Sequence, residues 1–290
     1  MKITVVGTAW FSKFSIEKGV QDKSSEWNFA LFICENLDVD IEKNGEQQNV
    51  RTSMTKDDVN TMVVDMKRFQ NSIKTLSGNQ MTAKINIYKL SKPITTLSYD
   101  EENGYFIAPK DVENLIDDTI LQENFDHIFI VAKYGDNFNQ EDDVPVKDWI
   151  GLGYMDYYGL GFSVIRIPNN ENIFYEHDSD LNKFPEEVYV HEFLHSLERE
   201  LNERDYNIPE LHSYRKYGYK NSLAEGQKDW YRDYMQKKIY TDSGYIGLDS
   251  AVYTIKPVKE SCFINAIKLN YFDEPRTVFG EIGKLFSTLF

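Results

Sequence analysis

Residues 191–195 read HEFLH, two histidines four positions apart with a glutamate directly after the first. On a helix, positions i and i+4 stack on one face, so His191 and His195 can aim their imidazoles at one point. Neutral imidazoles suit Zn²⁺, which takes three protein ligands in hydrolytic sites and keeps a fourth position for water. The helical repeat turns Glu192 by about 100° from His191, so its carboxylate can reach that water without ligating the metal. The chemistry this set supports is hydrolysis. The ion lowers the pKa of its water to about 7, and the glutamate takes the remaining proton as general base. The bond expected to be cleaved is a peptide bond.

Such a centre needs a third ligand. Three of the five histidines, His191, His195 and His212, fall within 22 residues of one another. The 17 residues from His195 to His212 are enough to finish a helix and return through a loop, with Asn207 and Pro209 supplying the turn. His212 is the expected third ligand, with Glu210 and Glu225 as alternatives, because imidazole is the commonest neutral zinc ligand. Tyr214, Tyr217 and Tyr219 follow closely. A tyrosine hydroxyl beside the metal can donate to the oxyanion of amide hydrolysis, and Tyr217, next to Gly218, is the expected donor. The plainer reading of each is packing of the loop on the core. His127 opens an apolar run and reads as a core residue, while His177 in YEHDSD reads as solvated. The acidic clusters at 38–42 and 136–143 are where calcium could bind, but neither has the spaced ligands and closing Glu of an EF-hand. One zinc ion per chain is therefore the expected cofactor.

The segment VHEFLHSLE resembles the active-site helix of the zincin metallopeptidases, bacterial secreted types in particular. The specific part of the resemblance runs over 161–219; elsewhere only the order of elements agrees. The resemblance implies a twisted mixed sheet, an edge strand that takes substrate backbone as an added strand, and then the active-site helix. It gives the substrate-binding role to 162–167, with Phe162, Ser163, Val164 and Ile165 along the peptide. Two subgroups fit poorly. Metzincins carry HExxHxxGxxH, whereas Glu198 and Leu201 occupy the glycine and third-ligand positions here. The gluzincin pattern NExxxD has only a partial echo around Glu225, in NSLAEGQKD. The competing functions are a metallohydrolase for a non-peptide amide or ester, a peptidase directed at glycoproteins, and a non-catalytic binding protein on the same fold. Glu192 speaks against the last, since a structural site has no use for a general base.

These residues need a helix and a sheet to hold them. Pro185 suits a first turn, and Glu186 and Glu187 complement the positive end of the helix dipole. Val190, Leu194, Leu197 and Leu201 then form a narrow apolar stripe, with both histidines on its flank. A helix over 185–204 can thus pack on a sheet and still offer its histidines to a cleft. Upstream, strands are expected at 2–11, 26–34, 81–90, 127–133 and 162–167. Helices are expected at 55–76, with Thr55 and Asp58 as a capping box, and at 110–121. Residues 35–53 read as loop and turn, and the Gly-rich stretch 151–161 as a loop. A helix near 225–238 has Trp230 and Tyr231 bracing the active-site helix. An extended 249–258 and a helix at 277–289 complete the tail. Alternation of strand and helix implies a largely parallel sheet with helices packed on it. The expected fold is α/β (α+β), zincin-like, with an antiparallel edge strand. It forms one catalytic domain over 1–290, whose halves are 1–205 and 206–290.

Composition narrows the partners. With 47 acidic against 32 basic residues the net charge is −15, which disfavours nucleic acid and anionic membrane surfaces. No run reaches the length of apolar sequence that spans a membrane. A peptide or protein substrate is the expected partner, and the oligomeric state stays open. Cys34 and Cys262 lack a CxxC partner and read as two buried reduced thiols, with a bridge between them as the alternative. The location stays open between a protein that remains where it is made and, the favoured expectation, an extracellular one with a leader ahead of the sequence given.

Overall fold

The computed structural model describes residues 24–135, 144–147, 149–167, 184–220 and 226–257. The strand expected at 2–11, the helix at 277–289, the acidic cluster at 136–143, His177, Glu225 and Cys262 lie outside these described residues. Within them, alternation along single strands sets the layers. β1 (Ser25–Cys34) sends Phe29, Leu31 and Ile33 to one face of the sheet and Ala30, Phe32 and Cys34 to the other, all buried. Burial on both faces is what a central parallel strand requires.

β2 (Asn36–Lys43) and β3 (Glu46–Ser53) pair as an antiparallel hairpin. Residues 35–53 are therefore not the loop expected of them. Leu37, Val39 and Ile41 alternate inward, and Asn44 (φ 57°) with Gly45 (φ 82°) makes the two-residue turn that such hairpins favour. The outward carboxylates of the 38–42 cluster are matched across the strands. Asn49 Nδ2 donates to Asp38 Oδ1 (3.0 Å) and to Asp40 Oδ1 (2.9 Å), and Arg51 Nε pairs with Asp38 (3.1 Å). These contacts tie Asp38 and Asp40 into a cross-strand network.

Helix α1 (Lys56–Leu76) opens with the capping box of Thr55 and Asp58 and buries Met62, Met66, Phe69 and Ile73. β4 (Met81–Leu90) runs parallel to β1. A small hairpin, β5 (Ser98–Asp100) with β6 (Gly104–Phe106), leads into α2 (Pro109–Gln122). β7 (His127–Lys133) follows and is buried throughout. β8 (Gly151–Tyr157) and β9 (Leu160–Ile167) form an antiparallel hairpin turned by Tyr158 (φ 53°) and Gly159 (φ 80°). The five-stranded sheet has the order β4-β1-β7-β9-β8, parallel except for β8. A mixed α/β fold with a mostly parallel central sheet is thus present.

The antiparallel edge strand also exists, but it is β8. The stretch 151–161 is a strand and a turn rather than a loop, and 162–167 lies inside the sheet. Phe162, Ser163, Val164 and Ile165 are buried, paired with β7 on one side and β8 on the other. They cannot offer backbone to a substrate, because their ladder positions are already occupied. The glycines were a misleading loop signal; their physical role emerges at the metal centre below.

Helix α3 (Glu187–Asn202) lies with α1 and α4 (Gly226–Met235) on the face reached by Phe29, Phe129 and Ile165. Phe193 of α3 sets its ring edge-on against Trp27 (5.4 Å) and Phe29 (5.2 Å). The opposite face carries α2 through Val112, Ile116 and Ile120, together with the β2–β3 hairpin. After α4 come the hairpin β10 (Ile239–Thr241) with β11 (Gly244–Ile246) and a 3-10 helix, Ser250–Thr254. The extended run expected at 249–258 is replaced by that turn, which the Asp249 side chain caps by accepting from the Ala251 amide. Among the described residues no helix is long and apolar enough to cross a membrane.

This topology makes a direct prediction. Ile165→Pro removes a ladder donor from a doubly paired, buried strand. It is expected to abolish cooperative folding in a urea melt. A variant that stays folded and loses only a ligand-binding function would return 162–167 to an edge role.

Candidate metal centre

α3 carries both histidines of the HEFLH segment. Its buried face holds Tyr189, Val190, Phe193, Leu194, Leu197 and Leu201, so helix rotation is set by core packing. The chain then turns and forms a 3-10 helix, Leu211–Tyr217, which brings His212 back to α3. The Nε2 atoms of His191 and His195 are 3.0 Å apart, those of His195 and His212 3.0 Å, and those of His212 and His191 3.1 Å. Two nitrogens bound tetrahedrally to zinc at about 2.0–2.1 Å stand roughly 3.3 Å apart, so this triangle fits a metal with little adjustment. Among the described residues it is the cluster of three ligand-type side chains. His195 is buried, His191 half-buried and His212 exposed, so the triangle opens to solvent on the His212 side.

The other ring nitrogens set the tautomers. His195 Nδ1 lies 3.3 Å from Glu198 Oε2, a carboxylate that can only accept when ionised. His191 Nδ1 lies 2.8 Å from the Tyr231 hydroxyl, whose single proton faces two acceptors, Glu187 Oε1 and Gln227 Oε1 (2.6 Å). Both Nδ1 atoms are therefore donors, and both Nε2 atoms present lone pairs to the shared point. Converging lone pairs repel one another unless a cation lies between them. Burial, and then the neighbouring His195 and His212, push the His191 pKa well below its usual value. His212 is lowered for the same first reason, with Glu198 and Glu210 opposing. Neutral rings are the form that ligates.

Outer partners hold the third ligand as well. Glu198 Oε1 accepts from the Leu211 amide (2.8 Å), and Trp230 Nε1 donates to the Leu211 carbonyl (2.9 Å). The residue before His212 is thus tied to α3 on one side and α4 on the other. Glu210, the alternative ligand, instead starts the 3-10 helix, its carbonyl accepting from the Ser213 amide at 2.9 Å. Tyr217 is not brought to the histidines by any contact among the described residues. Its ring stacks on Trp230 at 5.9 Å. At about three residues per turn, positions 212 and 217 face different ways, so packing prevails there. The Tyr231 hydroxyl is one that does bond a histidine of the triangle, His191.

Glu192 is buried against β8. A Cβ on Gly151 would fall 2.5 Å from Glu192 Cγ, and one on Gly153 would fall 2.5 Å from the Glu192 carbonyl oxygen. Both glycines are there for close approach rather than for unusual backbone angles. Ser196 Oγ clips the same contact by donating to the Gly153 carbonyl at 2.9 Å. Glu192 Oε2 has no hydrogen-bond partner among the described residues. Desolvation, and then the charge of Glu187, push its pKa well up. From β9 beneath, Ser163 Oγ lies 3.0 Å from His127 Nε2 and bonds the Glu192 carbonyl at 3.4 Å. His127 is a core residue as expected, its pKa pushed by burial down to about 3.

Glu187, Glu198, Gly151 and Gly153 escaped the reading of the sequence as site residues, whereas Tyr231 was expected to brace the active-site helix and does so through His191 and Glu187. Glu187 and Glu198 had a signal, since they stand four before His191 and three after His195 on the same helix. The helical aromatic pair Trp230 and Tyr231 signalled packing on that helix, but nothing local told that the Tyr231 hydroxyl bonds His191, 40 residues away.

Two outcomes follow from this geometry. Tyr231→Phe should weaken zinc binding by about 10–100-fold, the usual effect of losing an outer partner of a ligand histidine. Competition against a fluorescent chelator measures it, and an unchanged affinity refutes the tautomer assignment. Gly153→Ala drives a methyl into helix backbone and should cost about 1–3 kcal/mol in a urea melt. A neutral result there would show that α3 and β8 are not in fixed contact. No protein-family model matches the chain, and no curated protein matches it, so the functional reading rests on the site's own geometry.

Proposed function

We propose that the protein is a zinc-dependent endopeptidase in which His191, His195 and His212 hold the metal and Glu192 is the general base. The observation that carries this reading is the triangle of Nε2 atoms, 3.0–3.1 Å on a side, on the helix that also carries the buried, unpartnered Glu192 carboxylate. A bound zinc ion supplies Lewis acidity, acidifying water and polarising a carbonyl. The remaining roles belong to the chain. Glu192 Oε2 takes the proton of the attacking water and passes it to the leaving amine. Burial keeps other water from competing for that carboxylate and raises its basicity.

Substrate placement falls to β8, not to 162–167. β8 is the edge of the sheet, and among the described residues no strand pairs with its outer side. An extended peptide added there bonds through its backbone. Because Gly151 and Gly153 lie directly on Glu192, such a peptide passes beside the base. Backbone pairing orients the scissile carbonyl without demanding one particular side chain. The resemblance of VHEFLHSLE to zincin active-site helices supports the same reading.

The test is metal content coupled to cleavage. The protein should hold about one zinc per chain and cleave members of a peptide library, with activity lost to a chelator and restored by zinc. Glu192→Gln should keep the metal and lose at least about 100-fold in kcat. Failure to bind zinc below micromolar concentration, or full activity in Glu192→Gln, sinks the reading.

A further inference from the structure

The third-ligand segment carries charge of the wrong sign for this protein. Residues 211–220 read LHSYRKYGYK, with Arg215, Lys216 and Lys220 and no acidic residue, in a chain of net charge −15. Arg215 and Lys216 are exposed. Arg215 Cζ sits 5.7 Å from the centre of the Tyr214 ring, and Lys216 Nζ sits 5.4 Å from that of Tyr217. Among the described residues neither has a carboxylate within ion-pair distance, although the protein's other arginines and lysines often do. An aromatic face steadies a cation without neutralising it, so both charges stay available.

Register separates the two. In a 3-10 helix the side chains at i and i+3 eclipse, one turn and about 6 Å apart. His212 and Arg215 hold that relation within Leu211–Tyr217, so the two positions share one face of that helix. Lys216 is rotated about 120° away. His212 is also the exposed corner of the triangle, so Arg215 flanks the side on which the centre opens. A guanidinium there presents a planar fork of donors, which matches a carboxylate in bidentate fashion.

We propose that Arg215 is an anion-recognition subsite of this centre, selecting peptide substrates that place a carboxylate within a few residues of the scissile bond. The proposal rests on the peptidase reading above. The carboxylate could be an acidic side chain or a free chain terminus, since the fork recognises both alike.

The experiment uses the full chain carrying Glu192→Gln, loaded with zinc, and short fluorescein-labelled peptides read by anisotropy. One peptide has glutamate around its centre, its counterpart has glutamine, and each is made with a free and an amidated C-terminus. The carboxylate-bearing peptide is expected to bind about tenfold more tightly, as suits a charge-assisted bidentate pair. Adding Arg215→Ala should remove that advantage, while adding Lys216→Ala should leave most of it. An advantage that survives amidation assigns the carboxylate to the side chain; one that vanishes assigns it to the terminus. Equal binding of all peptides overturns the proposal. So does an advantage that Arg215→Ala leaves intact, or that Lys216→Ala removes equally. If the Arg215-dependent advantage holds while the unaltered protein cleaves none of these peptides, the subsite stands and the peptidase reading falls.

Discussion

The contact on which the site depends is the approach of α3 to the edge strand β8. Helices ordinarily stand off from a sheet by the depth of an intervening side chain. At Gly151 and Gly153 there is no such layer, and the Glu192 backbone and carboxylate fill the space where Cβ atoms would be. Ser196 of the helix bonds the Gly153 carbonyl of β8, and Ser163 of β9 bonds the Glu192 carbonyl, so both strands fasten the same helix. The result holds Glu192 against an edge whose outer side can accept an extended chain, and fixes helix rotation so that both histidines face away from the core.

Around the histidines the polar groups act as a frame. Glu198 serves two positions at once, accepting from the Leu211 amide and facing the His195 ring. Tyr231 passes the constraint on His191 to Glu187, one turn back along the same helix. Buried polar groups are costly unless partnered, and partnered ones fix a single arrangement. The contribution of α4 is essential to this frame, since Trp230 and Tyr231 reach two different ligand segments from adjacent positions.

Charge follows a complementary division. The chain's net charge is −15, and on β2 Asp38 pairs with Arg51 while Asp38 and Asp40 accept from the Asn49 amide. At the centre, burial lowers the pKa values of His191 and His212 and raises that of the Glu192 carboxyl. The cationic side chains next to it sit over aromatic rings rather than acids.

Much of this was legible in the residue order. The i, i+4 histidines need only helical periodicity to converge, and Val190, Leu194, Leu197 and Leu201 announce that helix. The capping box of α1 and the continuous apolar run of β7 are local signals of the same kind, and His212 was reachable by counting histidines. What tertiary structure alone decided was pairing across space. Period-two alternation identifies 162–167 as a strand, but no local feature says that a further strand covers its outer side. Glycine in a sequence signals either backbone freedom or lack of a side chain, and only the position of Glu192 shows that Gly151 and Gly153 mean the second. The Asn44-Gly45 turn was readable and was outweighed by the polar composition around it. Tyr231 meets His191 across 40 residues through packing of α4, a contact set by the shape of the whole core and by nothing in either neighbourhood.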